Sequence, residues 1–164
     1  MLMRTKSETL TVNPAFLQEI KDSHPDLWHT VHEVRQVCHS EGEPAHLARA
    51  LIRLLGQLRD HLALQFALEE SYGYIECPGV IEKRVCEYAD IARGQHFRLF
   101  LQLTDLCELA EELEYRGFAE SEVQRLIEDT LGFDAAFMQH ERSEDDLIEL
   151  AYFDQNRDSG PDLA

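Results

Sequence analysis

The stretch Gln65–Gly73, QFALEESYG, closes an apolar helical run that begins near His46. Side chains four residues apart share a helix face, so Gln65 and Glu69 point the same way, as does His61 one turn earlier. Leu51, Leu54 and Leu58 continue that stripe towards the N-terminus. A core-facing stripe that ends in a histidine, an amide and a carboxylate needs partners for them, because burying polar groups unpaired is costly. The rest of the chain has to supply those partners.

Working outward, three more helical stripes appear. Asn13-Pro14 reads as a helix start, with Asn as cap and Pro at the first helical position. Phe16, Ile20, His24, Leu27, Val31, Val34 and Cys38 follow at three- and four-residue spacing. His24-Pro25 interrupts them, which predicts one bent helix or two segments meeting at His24. Ser40–Pro44 is a connection, and the second helix runs to about Tyr72. Gly73 to Gly79, with Cys77-Pro78, is the next connection. The third helix spans about Glu82 to Tyr115, with the stripe Val85, Ala89, Ala92, His96, Leu99, Leu103 and Leu106, and Arg116-Gly117 stops it. The fourth starts after Ala119, with Ser121 as its cap. Its stripe is Leu126, Thr130, Phe133, Phe137, His140, Glu144, Leu147 and Ala151. Gly132 weakens it there by roughly 1 kcal/mol relative to Ala. No strand signal or repeat competes. The pattern predicts an all-α fold, an antiparallel up-down four-helix bundle over residues 14–153. Residues 1–13 form an N-terminal arm and residues 154–164 a loose tail.

Composition narrows the function classes. A chain of 164 residues is long enough for one well-filled core. The formal net charge is −17, with 32 acidic against 15 basic side chains, and such a field repels nucleic acid and anionic membrane surfaces. The N-terminus carries no apolar signal-peptide core, and no apolar run is long enough to span a bilayer, so a cytoplasmic location is expected. Cys38, Cys77, Cys86 and Cys107 show no CxxC pairing and read as free, mostly buried thiols. No Ser/His/Asp order, phosphate loop or nucleophile motif is visible, so a non-enzymatic role is expected.

Each helical stripe carries one histidine: His24, His61, His96 and His140. In an antiparallel pair, residues equidistant from the connecting loop share a layer, because each residue rises ~1.5 Å. His96 and His140 are centred on position 118, His61 and His96 between 78 and 79, and His24 and His61 between 42 and 43. All three midpoints fall in or beside connections. The four imidazoles therefore fit one cross-section, and a one-turn shift placing Gln65 there is almost as compatible. Imidazoles and carboxylates converging inside a bundle suit a transition metal. The ferritin-like alternative needs two Glu-x-x-His motifs on separate helices, and the only instance, Glu43-Pro-Ala-His46, sits at a helix start, where it reads as a cap. His29, His32, His39 and His46 fall off the layer and read as surface residues, and Trp28 and Tyr72 as core or rim aromatics.

Over about Pro14 to Tyr152 the sequence resembles the hemerythrin family of four-helix bundles. The family's motifs are a histidine on the first helix, HxxxE on the second, HxxxH on the third, and a histidine followed four or five residues later by a carboxylate on the fourth. His24-Pro-Asp-Leu27 looks like the first motif. Gln65-Phe-Ala-Leu-Glu69-Glu70 looks like the second, with Gln65 in place of His. Ala92-Arg-Gly-Gln-His96 looks like the third, with Ala92 in place of His, and His140-Glu-Arg-Ser-Glu144-Asp145 looks like the fourth. The resemblance implies a non-haem iron site that binds one or two ions and takes O2 or another small ligand at the metal. His24, Glu69, His96, His140 and Glu144 are its candidate ligands, Asp145 is the alternative to Glu144, and His61 is a substitute for the donor missing at Gln65. Gln65 and Ala92 are degenerate ligand positions, and Ala92 offers no donor at all. The expected function is non-enzymatic metal binding for small-molecule, O2 or redox sensing. The alternative is a metal-free bundle serving as a protein-interaction or regulatory module. A protein partner or a second copy of the chain fits either reading.

Overall fold

The computed structural model describes residues 9–77 and 82–158. Residues 1–8 of the expected arm, 78–81 of the second connection and 159–164 of the tail lie outside them. The described chain is almost entirely helical. It contains α1 (Pro14–Asp22), α2 (Pro25–Cys38), α3 (Pro44–Leu68), α4 (Lys83–Arg116) and α5 (Glu120–Asp158), with strands β1 (Thr9–Val12) and β2 (Tyr74–Cys77). No described helix is long and apolar enough to cross a membrane.

Local chemistry sets most of the boundaries. The Asn13 side chain accepts from Phe16 N at 3.1 Å, and Pro14 holds the first helical position, as their order predicts. Gly117, at φ 90°, ends α4 in a region that L side chains avoid. The helix resumes at Glu120, so Ser121 lies inside α5 rather than capping it. Glu43 occupies the cap position of α3, but its side chain makes no capping bond. The last helix continues to Asp158, past the expected start of a loose tail at 154.

Two differences from the sequence reading matter for the site. First, α1 and α2 are separate segments with His24 between them. The proline at 25 removes a backbone donor and clashes with a continuous helix. The break frees α1 to rotate, so its buried face is Pro14, Leu17 and Lys21 rather than Phe16, Ile20 and His24. Second, strands do form. Thr9–Val12 pairs antiparallel with Tyr74–Cys77, from Thr9 opposite Cys77 to Val12 opposite Tyr74. Leu10 and Val12 are buried, so residues 9–12 belong to the packed body. A four-residue strand is too short to declare itself by alternation. Its pairing here depends on a segment more than sixty residues away.

The apolar interior falls into two clusters. One joins α2, α3, α4 and α5 through residues such as Leu27, Leu55, Phe66, Leu103 and Phe137. The other gathers Leu10, Val12, Leu17, Tyr74, Ala89, Ala92 and Leu147 around the ribbon and α1. Cys38 and Cys107 are buried free thiols, and Cys86 is partly exposed. Trp28 packs on Phe137, whereas Tyr72, expected at the core or rim, is 62% exposed. His29, His32, His39 and His46 are exposed.

Candidate metal centre

A polar layer separates the two apolar clusters. On α4, His96 lies between Ala92 of one cluster and Leu99 of the other, and on α5, His140 and Glu144 lie between Phe137 and Leu147. The third contribution comes from the end of α3. There the chain makes a single π-helical turn, Glu69–Gly73, closed by Tyr74 N donating to Glu69 O. A π-turn re-aims side chains relative to the α-helix before it, and such turns are frequent at functional sites. Glu69, one α-helical turn on from Gln65, enters this turn fully buried, and Glu70 beside it is half exposed with Oε1 3.3 Å from His96 Nδ1.

The result is four buried donors, Glu69, His96, His140 and Glu144, whose ligand atoms all lie within 4.8 Å of one another. His96 Nε2 is 3.6 Å from Glu69 Oε2 and 3.5 Å from Glu144 Oε2, and His140 Nε2 is 3.1 Å from Glu144 Oε1. These approaches are not aligned as hydrogen bonds. Glu69 Oε2, His96 Nε2, His140 Nε2 and Glu144 Oε1 are buried without a hydrogen-bond partner among the described residues. Four such atoms facing one point are what a cation would satisfy.

The outer partners point the same way. His140 Nδ1 lies 2.7 Å from Gln95 Oε1, and His96 Nδ1 lies 3.3 Å from Glu70 Oε1. Both oxygens are acceptors, so each Nδ1 donates outward, and in the neutral ring Nε2 is left to face inward with its lone pair. That is the tautomer a metal-ligating histidine requires. Tyr74 Oη donates to Glu144 Oε2 at 2.7 Å and fixes the carboxylate. Phe66 stacks on His96 at 4.1 Å between centroids and fixes its ring plane.

The charges divide unequally. Burial, then repulsion from Glu144 and Glu141, pushes Glu69 well above the ordinary carboxylate range. Burial also opposes the charge on Glu144, but the imidazoles of His140 and His96, with Lys21, hold it well below that range. Burial, then the charge of Glu144, raises Tyr74, which keeps its phenol a neutral donor. Burial works against the Lys21 ammonium, yet Glu141 and Glu144 more than offset it, so Lys21 stays protonated.

No protein-family model, no curated protein and no solved structure matches this chain.

Not every candidate from the sequence joins the group. His24 and His61 face each other edge-on at 5.3 Å between centroids, in a layer of their own. His24 Nδ1 donates to Gln65 Oε1 at 2.9 Å, and Gln65 Nε2 reaches Glu69 Oε1 at 3.5 Å. Gln65 is therefore a hydrogen-bond link between the two layers, and His61 does not reach the four donors as a substitute ligand. Asp145 points outward to Lys21 at 3.1 Å, with its side chain 60% exposed, whereas Glu144 points inward. Ala92 is buried in the same cluster as Tyr74. Sequence spacing missed Tyr74, Gln95, Glu141 and Lys21. Lys21 had one available signal, its position four residues after Leu17 on the face that α1 buries. Tyr74 had none, because it arrives on a strand formed only by tertiary pairing.

Proposed function

We propose that this protein holds a transition-metal ion, iron in the first instance, at Glu69, His96, His140 and Glu144. We further propose that the helices form an antiparallel up-down four-helix bundle of the hemerythrin type. The observation that carries the metal reading is the set of buried donor atoms within 4.8 Å of one another, four of them without a hydrogen-bond partner among the described residues. Two imidazoles and two carboxylates suit a first-row divalent metal better than calcium or magnesium, which prefer all-oxygen sites. Glu69 and Glu144 would supply oxygen ligands, and His96 and His140 would supply Nε2. Gln95 and Glu70 would orient the rings, and Tyr74 would orient Glu144.

The ion would give the protein a site for O2 or another small ligand, or a redox change to sense. The chain's own role is to hold the donors dry and in register, without catalysis. The decisive experiment is elemental analysis of protein purified without chelator, followed by anaerobic Fe(II) titration of the wild type and of His140→Ala. Bound iron in the wild type and its loss in the variant support the reading. A wild type that binds neither iron nor any other first-row metal overturns it.

The metal-free interaction module is the second reading. The hydrogen-bonded chain His24–Gln65–Glu69 favours it, because it satisfies part of the polar layer with protein groups alone.

A further inference from the structure

Lys21 is the one buried lysine among the described residues, at 8% exposure, and it sits at the last turn of α1. Its ammonium donates to the backbone carbonyl of Glu141 at 3.1 Å. It also lies 2.9 Å from Glu141 Oε2, 3.1 Å from Asp145 Oδ1 and 3.8 Å from Glu144 Oε1. An amine nitrogen thus stands among three carboxylates presented by one stretch of α5. Without the lysine, that stretch is an oxygen-rich seat of the kind a divalent cation takes. Glu141 Oε1, next to it, is buried with no hydrogen-bond partner among the described residues.

We infer that Lys21 is a built-in cation that occupies this carboxylate seat and limits the centre to a single divalent metal ion. The inference rests on the metal reading above and adds to it the stoichiometry and the residue that sets it. Charge bookkeeping agrees. Among the described residues, Glu69, Glu141 and Glu144 are the buried carboxylates, and Lys21 is the buried cation beside them. With all four ionised and both imidazoles neutral, the layer carries two net negative charges, which one divalent ion neutralises. A second ion would leave two uncompensated positive charges between two apolar clusters, which is costly. Asp145 is largely solvated and drops out of this count.

The test uses the full chain, freed of metal and titrated anaerobically with Co(II). Equilibrium dialysis counts the ions, and the visible bands report the imidazole-bound one. The wild type should bind one Co(II), lost in His140→Ala. Lys21→Met should bind two, with the visible bands of the first retained, and Lys21→Arg should bind one. Lys21→Met with Glu141→Gln restores the wild-type charge and removes one seat ligand. It should fold and bind one ion, which guards against a single variant that does not fold. A wild type binding two ions of similar affinity, or a folded Lys21→Met binding only one, overturns the role of Lys21 while leaving the metal reading intact. A wild type that binds no ion overturns both.

Discussion

Tyr74 and Glu144 meet across 2.7 Å, and they come from unlike places: a four-residue strand, and the buried interior of a 39-residue helix. The phenol donates to the carboxylate oxygen that also faces His96. The β-ribbon is therefore part of the polar layer, because it carries the group that fixes Glu144. Tyr74→Phe removes one donor from a buried carboxylate, which typically costs about 1–3 kcal/mol of stability. On the proposed metal reading, loss of this partner lowers metal affinity roughly 10- to 100-fold. Urea denaturation of the metal-free variant and chelator competition of the loaded one measure the two effects separately.

Gly73 closes the π-turn against α1. A Cβ there would lie 2.8 Å from Leu17 Cδ1 and 3.4 Å from Leu17 Cβ, and Leu17 is fully buried, so its side chain has to repack within the core to make room. Gly73→Ala should destabilise the protein by about 1–3 kcal/mol through overpacking. Gly56, in the middle of α3, is the control. A Cβ there meets no atom within 4 Å, so Gly56→Ala should stabilise the helix by about 0.5–1 kcal/mol. Opposite shifts in the urea midpoint are the expected result, and equal shifts would contradict the packing described here.

Arg35 joins α2 to α5 through a two-pronged contact. Its Nε donates to Asp134 Oδ2 at 2.8 Å and its Nη2 to Oδ1 at 2.9 Å. Paired geometry of this kind is the strong form of a charge-assisted bond, but partial exposure screens it. A double-mutant cycle on Arg35→Ala and Asp134→Ala should give a coupling of about 1 kcal/mol. The coupling should shrink as salt is added. A coupling of zero at low salt would remove this pair from the contacts that hold α2 on α5.

Burial, reinforced by the charge of Asp134, pushes the Cys38 thiol up to about 11. The thiolate is the nucleophile, so below that pH the folded protein presents Cys38 almost wholly as inert thiol. Iodoacetamide at pH 8 should label the partly exposed Cys86 well before Cys38. The Cys38 rate should rise roughly tenfold per pH unit between 8 and 10, and urea should erase its protection. Peptide mapping by mass spectrometry follows both sites, and fast labelling of Cys38 at pH 8 in the native protein would contradict its burial.

By itself, the sequence determined the helices and much of the polar layer. Asn13-Pro14, His24-Pro25 and Arg116-Gly117 mark boundaries through local backbone chemistry, which needs no partner to act. Glu69 entered the ligand set through the family resemblance, but His96, His140 and Glu144 were legible for a similar reason. Helix spacing places each on an apolar stripe, and equal distances from a loop place stripes in register. Only the tertiary structure decided the rest. The face that α1 buries, and with it Lys21, follows from packing once the proline break uncouples α1 from α2. The π-turn at the end of α3 leads directly into the strand bearing Tyr74. That strand exists because Thr9–Val12 lies beside it. His24 and His61 show the same limit in reverse. Their spacing admits them to the layer, but Gln65, one turn on from His61, holds His24 and reaches Glu69 instead. Periodicity reports which face a residue occupies on its own helix. It does not report how neighbouring elements rotate and slide against each other, and ångström-scale differences of that kind separate a ligand from a bystander.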